Sequence, residues 1–196
     1  MRANYLELVS ERIPERFGFD PVDSIQVITP MRRGVVGTSN LNKELQQALN
    51  PSGDLIERGG RSFRITDKVM QIRNNYDKDV FNGDLAYVME CDQENETLLL
   101  NFDGKMISYE LSELNELELA YAVTVHKSQG SEFPCIILPL HTTHYPLLQR
   151  NLIYTAITRG KKLVVVVGSK KALAIAVRNN KVVHRYTGLN ERLRAW

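Results

Sequence analysis

Ala120-Tyr121-Ala122-Val123-Thr124-Val125-His126-Lys127-Ser128-Gln129-Gly130-Ser131-Glu132-Phe133 carries the chain from an apolar run through a polar turn and back toward a buried one. Leu117 to Ala122 reads as a strand, and Thr124 to Gln129 as a short helical turn broken by Gly130. Cys135-Ile136-Ile137-Leu138 follows as a buried strand bounded by Pro134 and Pro139. Leu147 to Thr158 suits a helix, and Leu163-Val164-Val165-Val166-Val167 is apolar on both faces, as strands of parallel sheets are. Ser169 then caps a helix running through Val177. Strand, turn, strand, helix, strand, helix is the pattern of an α/β domain.

The N-terminal part has the same character. Leu6, Val9, Ile13 and Phe17 are spaced as on a helix, closed by Gly18 and Pro21. Ser24 to Thr29 reads as a short buried strand ended by Pro30, followed by a loop with Arg32, Arg33, Gly34 and Gly37. Thr38 or Ser39 is placed to cap a helix through Leu41, Leu45 and Leu49, which Asn50-Pro51-Ser52-Gly53 stops.

Between residues 54 and 116 the pattern changes to five short strand candidates: 63–65, 68–72, 85–89, 97–100 and 105–109. Turn residues separate them, and Asp103-Gly104 between alternating runs is a hairpin signal. Short strands at this spacing predict a small β-barrel. The expected organisation is a discontinuous α/β domain, residues 1–53 and 117–196, interrupted by a barrel at 54–116.

Composition excludes disorder, collagen and coiled coil: 43% of the residues are hydrophobic and 24% charged. Cys91 and Cys135 stand far apart in apolar runs, which favours buried thiols over a disulfide or a metal pair. No apolar stretch approaches the roughly 20 residues of a membrane span. With no signal-peptide core at the N-terminus, a cytoplasmic location is expected. The formal net charge of +2 hides an asymmetry. Residues 1–119 hold 13 basic and 21 acidic side chains, whereas residues 120–196 hold 12 basic and two acidic, Glu132 and Glu191. Such a split suits an anionic partner for one face, unless the two parts interleave in space and neutralise each other.

Three segments carry candidate chemistry. In the turn after the 117–122 strand, Thr124, His126, Lys127 and Ser128 combine hydroxyls, a cation and unpaired backbone N–H groups, the ingredients of a phosphate site. A plain solvated turn has the same composition. Gly130 permits close approach of backbone to a ligand. Glu132, isolated among cations, needs a specific partner, whether a ligand group or Lys161 or Lys162. Arg159 follows an apolar helix; it is placed either to enter a neighbouring site or to serve as a helix C-terminal cation.

Together these segments resemble the second RecA-like domain of superfamily 1 helicases. Residues 124–133 look like helicase motif V, Tyr154-Thr155-Ala156-Ile157-Thr158-Arg159 like motif VI, and Thr29 to Gly37 with Leu41-Asn42 like motif IV. The RecD-like branch, the alpha subunit of exodeoxyribonuclease V and its relatives, carries an SH3-like barrel between motifs IV and V. Asp67 to Tyr76, with Asn82-Gly83-Asp84 beyond, is similar to that insert.

The resemblance implies a fold: a RecA-like parallel sheet flanked by helices, of the P-loop NTPase type, with an inserted SH3-like barrel. It implies a function: half of an ATP-dependent, 5′-to-3′ DNA helicase motor acting in recombinational repair. Arg159 would be the arginine finger. Arg32, Gly130 and Glu132 would lie at ATP, and Thr124, His126, Lys127 and Ser128 at single-stranded DNA. Partners would be single-stranded DNA, a first RecA-like domain of the same parent chain, and the beta and gamma subunits of exodeoxyribonuclease V. The Gly-x-x-x-x-Gly-Lys-Ser/Thr loop and the acidic magnesium motif do not occur in the sequence. ATP with Mg2+ is therefore expected only in a longer protein, this chain holding no metal site and being inactive alone. A non-catalytic nucleic-acid-binding module and the helicase part of a conjugative relaxase are the competing expectations.

Overall fold

The chain runs through α1 (Arg2–Glu7), a π-helical turn (Leu8–Arg12) and α2 (Ile13–Phe17), then β1 (Ile25–Thr29) and α3 (Thr38–Leu49). The computed structural model describes residues 2–180 and 189–194. Gly18, in the left-handed region at φ 69°, ends the first helical run where expected.

After α3 come a hairpin, β2 (Leu55–Arg58) with β3 (Arg61–Arg64), and then β4 (Lys68–Gln71), β5 (Leu85–Asp92), β6 (Thr97–Phe102), β7 (Lys105–Glu110) and β8 (Leu117–Leu119). The chain re-enters the α/β layer through β9 (Ala122–Thr124) and β10 (Phe133–Leu140), and continues with α4 (Arg150–Ile157), β11 (Gly160–Gly168), α5 (Lys170–Arg178) and α6 (Leu189–Arg194).

The main sheet has the order β11-β10-β1-β9, all parallel. Side-chain alternation divides its two faces. Ile25 and Val27 of β1, with Cys135 and Ile137 of β10, pack against Tyr5, Val9, Ile13, Leu41 and Leu45. Ile28, Ile136, Leu138 and Leu140 face Ile153 and Ala156 of α4 and Ala172 and Ala176 of α5, whose small side chains let the helices lie close. Both faces are covered, which is why β1 is buried throughout.

The inserted unit is a five-stranded antiparallel sheet, β7-β6-β5-β4-β8, beside the β2–β3 hairpin. Phe63, Val69, Val88, Leu98, Leu100, Tyr109 and Leu117 form its separate core. Asp103 and Gly104 both have positive φ, 49° and 91°, the geometry of the tight β-hairpin turn their sequence announces.

Four expectations need correction. The run 117–122 is not one strand: β8 pairs antiparallel with β4 in the inserted sheet, and β9 pairs parallel with β1 in the main sheet. The inserted unit therefore extends to Leu119. The N-cap of α3 is Gly37, whose neighbours Thr38 and Ser39 have their amides satisfied by the carbonyls of Met31 and Arg32 at 3.1 Å each. A Cβ on Gly37 would meet the carbonyl oxygens of Arg33 and Arg32 at 2.5 and 2.6 Å, so the loop closes only around glycine. Finally, Pro134 and Pro139 lie within β10, not at its borders. Pro134 sits at a register shift against β11, and β1 pairs with β10 only as far as Ile137, so Pro139 removes no ladder bond on that side. Of the basic tail, Lys181 and Arg185 lie outside the described residues, while Arg192 and Arg194 are exposed on α6.

Candidate nucleotide and nucleic-acid site

Parallel strands put the candidate residues at two opposite edges of the main sheet. Thr29 and Thr124 are register partners at the C-terminal ends of β1 and β9. Phe133 and Gly160 are partners at the N-terminal ends of β10 and β11. Residues 125–132 run from the first edge to the second, so one short segment touches both.

At the first edge, Arg32, Thr124, Lys127 and Glu118 line a single small cleft with Thr38 and Asn42. The Glu118 carboxylate receives Arg32 on Oε1 and Lys127 on Oε2, the latter at 3.0 Å, with Arg61 of β3 at 3.8 Å from Oε1. Arg32 is thus gathered with Thr124 and Lys127, not with Gly130, Glu132 and Arg159. Thr124 accepts the Lys127 amide on Oγ1 at 3.4 Å and the Ser128 amide on its carbonyl at 3.0 Å, which shapes the turn. His126 is exposed. Ser128 is 1% exposed and donates its hydroxyl to the Val125 carbonyl at 2.8 Å. It braces the turn from inside, and its expected contact with DNA gives way to that structural role. Beside these residues opens an apolar cleft of about 430 Å³, lined by Met31, Val35, Val36, Leu140, His141 and Val167 among others.

At the second edge, Arg159 follows the C-cap of α4, and its carbonyl accepts the Phe133 amide at 2.8 Å. Its guanidinium makes three contacts at 3.3 Å, all to neutral oxygens: the Thr155 carbonyl, the Ser131 carbonyl and the Thr158 hydroxyl. Among the described residues no carboxylate pairs with it. A cation held at a helix end and left without an anion fits a phosphate group. Gly160, the next residue, is closely packed: a Cβ there would stand 2.8 Å from Val164 Cγ2 and 3.2 Å from Ile136 Cγ1. Glu132 pairs with Lys161 at 3.3 Å, both about half exposed, which is the neighbouring-lysine partner that its isolation left open. Gly130 has φ +89° with open space around it, so backbone conformation, not close packing, requires glycine there. No cluster of metal-ligating side chains is present among the described residues.

The joint between the two units carries the residues that sequence reasoning missed. Asp67, fully buried, accepts from Gln46 Nε2 (2.5 Å), Asn50 Nδ2 (2.8 Å), Tyr121 Oη (2.8 Å) and the Arg64 amide (2.8 Å). Burial still raises its pKa above the ordinary carboxylate value, the four donors offsetting it only in part. Asn42 of α3 donates to the carbonyls of Leu119 and Ala122 and accepts the Ala122 amide at 2.7 Å. Gln26 reaches the carbonyls of Ala120 and Tyr121. Lys68, nearly buried, donates to the Val22 carbonyl at 3.0 Å, and burial depresses its pKa to about 8. One signal was legible: Gln26 lies inside an apolar strand, where a polar side chain must find buried partners.

Comparison with known proteins follows the same division. Residues 41–102 match the family "ATP-dependent RecD-like DNA helicase SH3 domain", and residues 119–167 match the "UvrD-like helicase C-terminal domain". The fold and these two matches define a RecA-like helicase C-terminal domain with an inserted SH3-like barrel. Over most of its length the chain is similar in sequence to RecD-like helicases. It is 40% identical over 172 residues to the ATP-dependent RecD2 DNA helicase of Deinococcus radiodurans, covering 88% of this chain and 24% of that protein. To the RecBCD enzyme subunit RecD of Haemophilus influenzae it is 30% identical, covering 87% of this chain and 25% of that one. The chain thus spans about a quarter of these relatives' length. In fold it is similar to Pif1 helicase from Bacteroides solved with ADP-AlF3 and ssDNA (TM-score 0.55, 18% identity, 97% of this chain and 48% of that one). Pif1 helicase from Candida albicans is another such neighbour (TM-score 0.55, 16% identity, 98% of this chain and 53% of that one). No helix among the described residues is long and apolar enough to cross a membrane.

Proposed function

We propose that this chain is the second motor half of an ATP-dependent DNA helicase that moves 5′ to 3′ along one strand, in recombinational repair. ATP would sit between it and a first RecA-like domain that brings the phosphate loop and the magnesium ligands; the nucleotide supplies the phosphoryl group whose transfer drives the motor. This chain would supply Arg159, a planar cation aimed at the charge that develops on that group. Gly130 and Glu132 would lie along the nucleotide's edge, Glu132 exchanging its exposed partner Lys161 for a ligand group at little cost.

The opposite edge of the sheet would hold single-stranded DNA, through Thr124, His126 and Lys127 on its phosphates, with Ser128 bracing the turn. Arg32 belongs with this group on its position, and the apolar cleft beside it has the character that unstacked bases require. The observation that carries the reading is the guanidinium of Arg159, which among the described residues has only neutral oxygens as partners and stands one ladder bond from the segment that starts at Thr124. The beta and gamma subunits of exodeoxyribonuclease V are further candidate partners, to be sought by co-purification.

The test is unwinding by the longer protein that includes the first domain. A duplex with a 5′ single-stranded tail should be opened in an ATP-dependent way and one with only a 3′ tail should not. ATP turnover unaffected by single-stranded DNA, with neither duplex opened, would overturn the proposal.

A further inference from the structure

Three cations meet on one carboxylate where the barrel joins the motor domain. Glu118 lies in β8, the barrel strand that feeds directly into β9 and the Thr124 turn. It takes Arg32 from the loop after β1, Lys127 from the turn after β9, and Arg61 from the barrel hairpin. Arg61 is held in addition by the carbonyls of Asn115 (3.1 Å) and Leu117 (2.7 Å), so it stays with the barrel strand. Arg32 is largely exposed and Lys127 about one-third exposed, while Glu118 is about one-fifth exposed. One negative charge therefore faces three positive ones, and the cluster keeps an excess that attracts a further anion. The two cations without such carbonyl ties are the ones lining the cleft with Thr124.

We propose that Glu118 is a built-in competitor for the nucleic-acid backbone: its carboxylate occupies the place on Arg32 and Lys127 that a phosphodiester takes when the strand binds. A carboxylate and a phosphate present similar oxygens to guanidinium and ammonium groups, so the exchange conserves the charge-assisted bonds. Displaced Glu118 keeps Arg61, and through it the barrel strand registers whether the DNA track is filled. This inference rests on the reading of the Thr124 edge as the DNA site.

The experiment measures binding of a fluorescent oligothymidylate to the 196-residue chain by anisotropy, from low salt upward. Glu118→Gln should tighten binding about threefold to tenfold, since a neutral amide leaves both cations to the phosphates. The salt dependence should steepen by about 0.7 for each phosphate newly neutralised with release of a solution ion. The gain should shrink when Glu118→Gln is made on a Lys127→Ala background and vanish on an Arg32→Ala/Lys127→Ala background, because a competitor has nothing to release once both its cations are gone. Unchanged or weaker binding by Glu118→Gln, while Lys127→Ala alone weakens binding, would overturn the competitor role and leave the DNA reading intact. A lower melting temperature with weaker binding would mark Glu118 as a structural tie and equally overturn it. Binding absent throughout, or indifferent to both Lys127→Ala and Arg32→Ala, would overturn the DNA reading itself.

Discussion

The amide of Phe133 donates to the carbonyl of Arg159 at 2.8 Å. That bond ties the end of the segment beginning at Thr124 to the backbone of the arginine proposed to face nucleotide. The two edges of the sheet are thereby joined through eight residues and one ladder step. A shift of the Thr124 turn has a short path to Arg159.

Gly130 is the conformational weak point of that path. Its φ of +89° has no steric contact to relieve, so Gly130→Ala should cost roughly 1–2 kcal/mol through backbone strain alone. Urea denaturation measures the loss. ATP turnover in the longer protein should fall further than stability explains, because the strain is relieved by bending the segment that connects the edges.

Gly160 fails by another mechanism. A methyl group there overlaps Val164 Cγ2, a β-branched side chain with little room to turn, and presses on Ile136. Gly160→Ala should destabilise by about 1–3 kcal/mol. It should also displace Arg159, visible as lower turnover with single-strand affinity retained.

At the joint between the units, Asp67 accepts four hydrogen bonds and offers none. Asp67→Asn removes a buried charge, yet it turns an amide N–H toward donors that have nowhere else to go. The second effect should win, with a loss of roughly 2 kcal/mol in urea denaturation. Equal or greater stability would mean that desolvation of the carboxylate outweighs its donors.

His144 sets an acid limit. It is fully buried in the turn after β10, where Nδ1 accepts the His141 amide at 3.4 Å and Nε2 has no partner among the described residues. Burial first, then the neighbouring His141, lowers its pKa to about 4. The fold therefore holds the neutral ring, while the unfolded chain binds a proton from about pH 6.5 downward. Stability should be full above pH 6.5 and fall as the pH drops toward 4, by about 2 kcal/mol at pH 5. Denaturation at pH 7 and pH 5 measures it, and His144→Gln should flatten the difference.

Local pattern revealed much of this fold. The capped helix after Ser169, the helix closed by Gly18 and the Asp103-Gly104 hairpin each depend on neighbours in sequence, and each stands where its residues place it. The run 117–122 misled because its apolar residues suit either sheet: which half joins which sheet is decided by Asn42 and Gln26, distant residues that grip its carbonyls. The grouping of the candidate site residues was not legible in the sequence. That Arg32 belongs with Lys127 follows from the direction of β1 and from Glu118, neither of which spacing along the chain discloses.

The decisive experiment is Arg159→Ala in the longer protein that contains the first motor domain, with ATP turnover and single-strand binding measured side by side. Turnover stimulated by DNA should drop by roughly 10³-fold or more while the dissociation constant for single-stranded DNA stays within about twofold. Turnover preserved within about tenfold would contradict the assignment of Arg159, and with it the motor role given to this half of the protein.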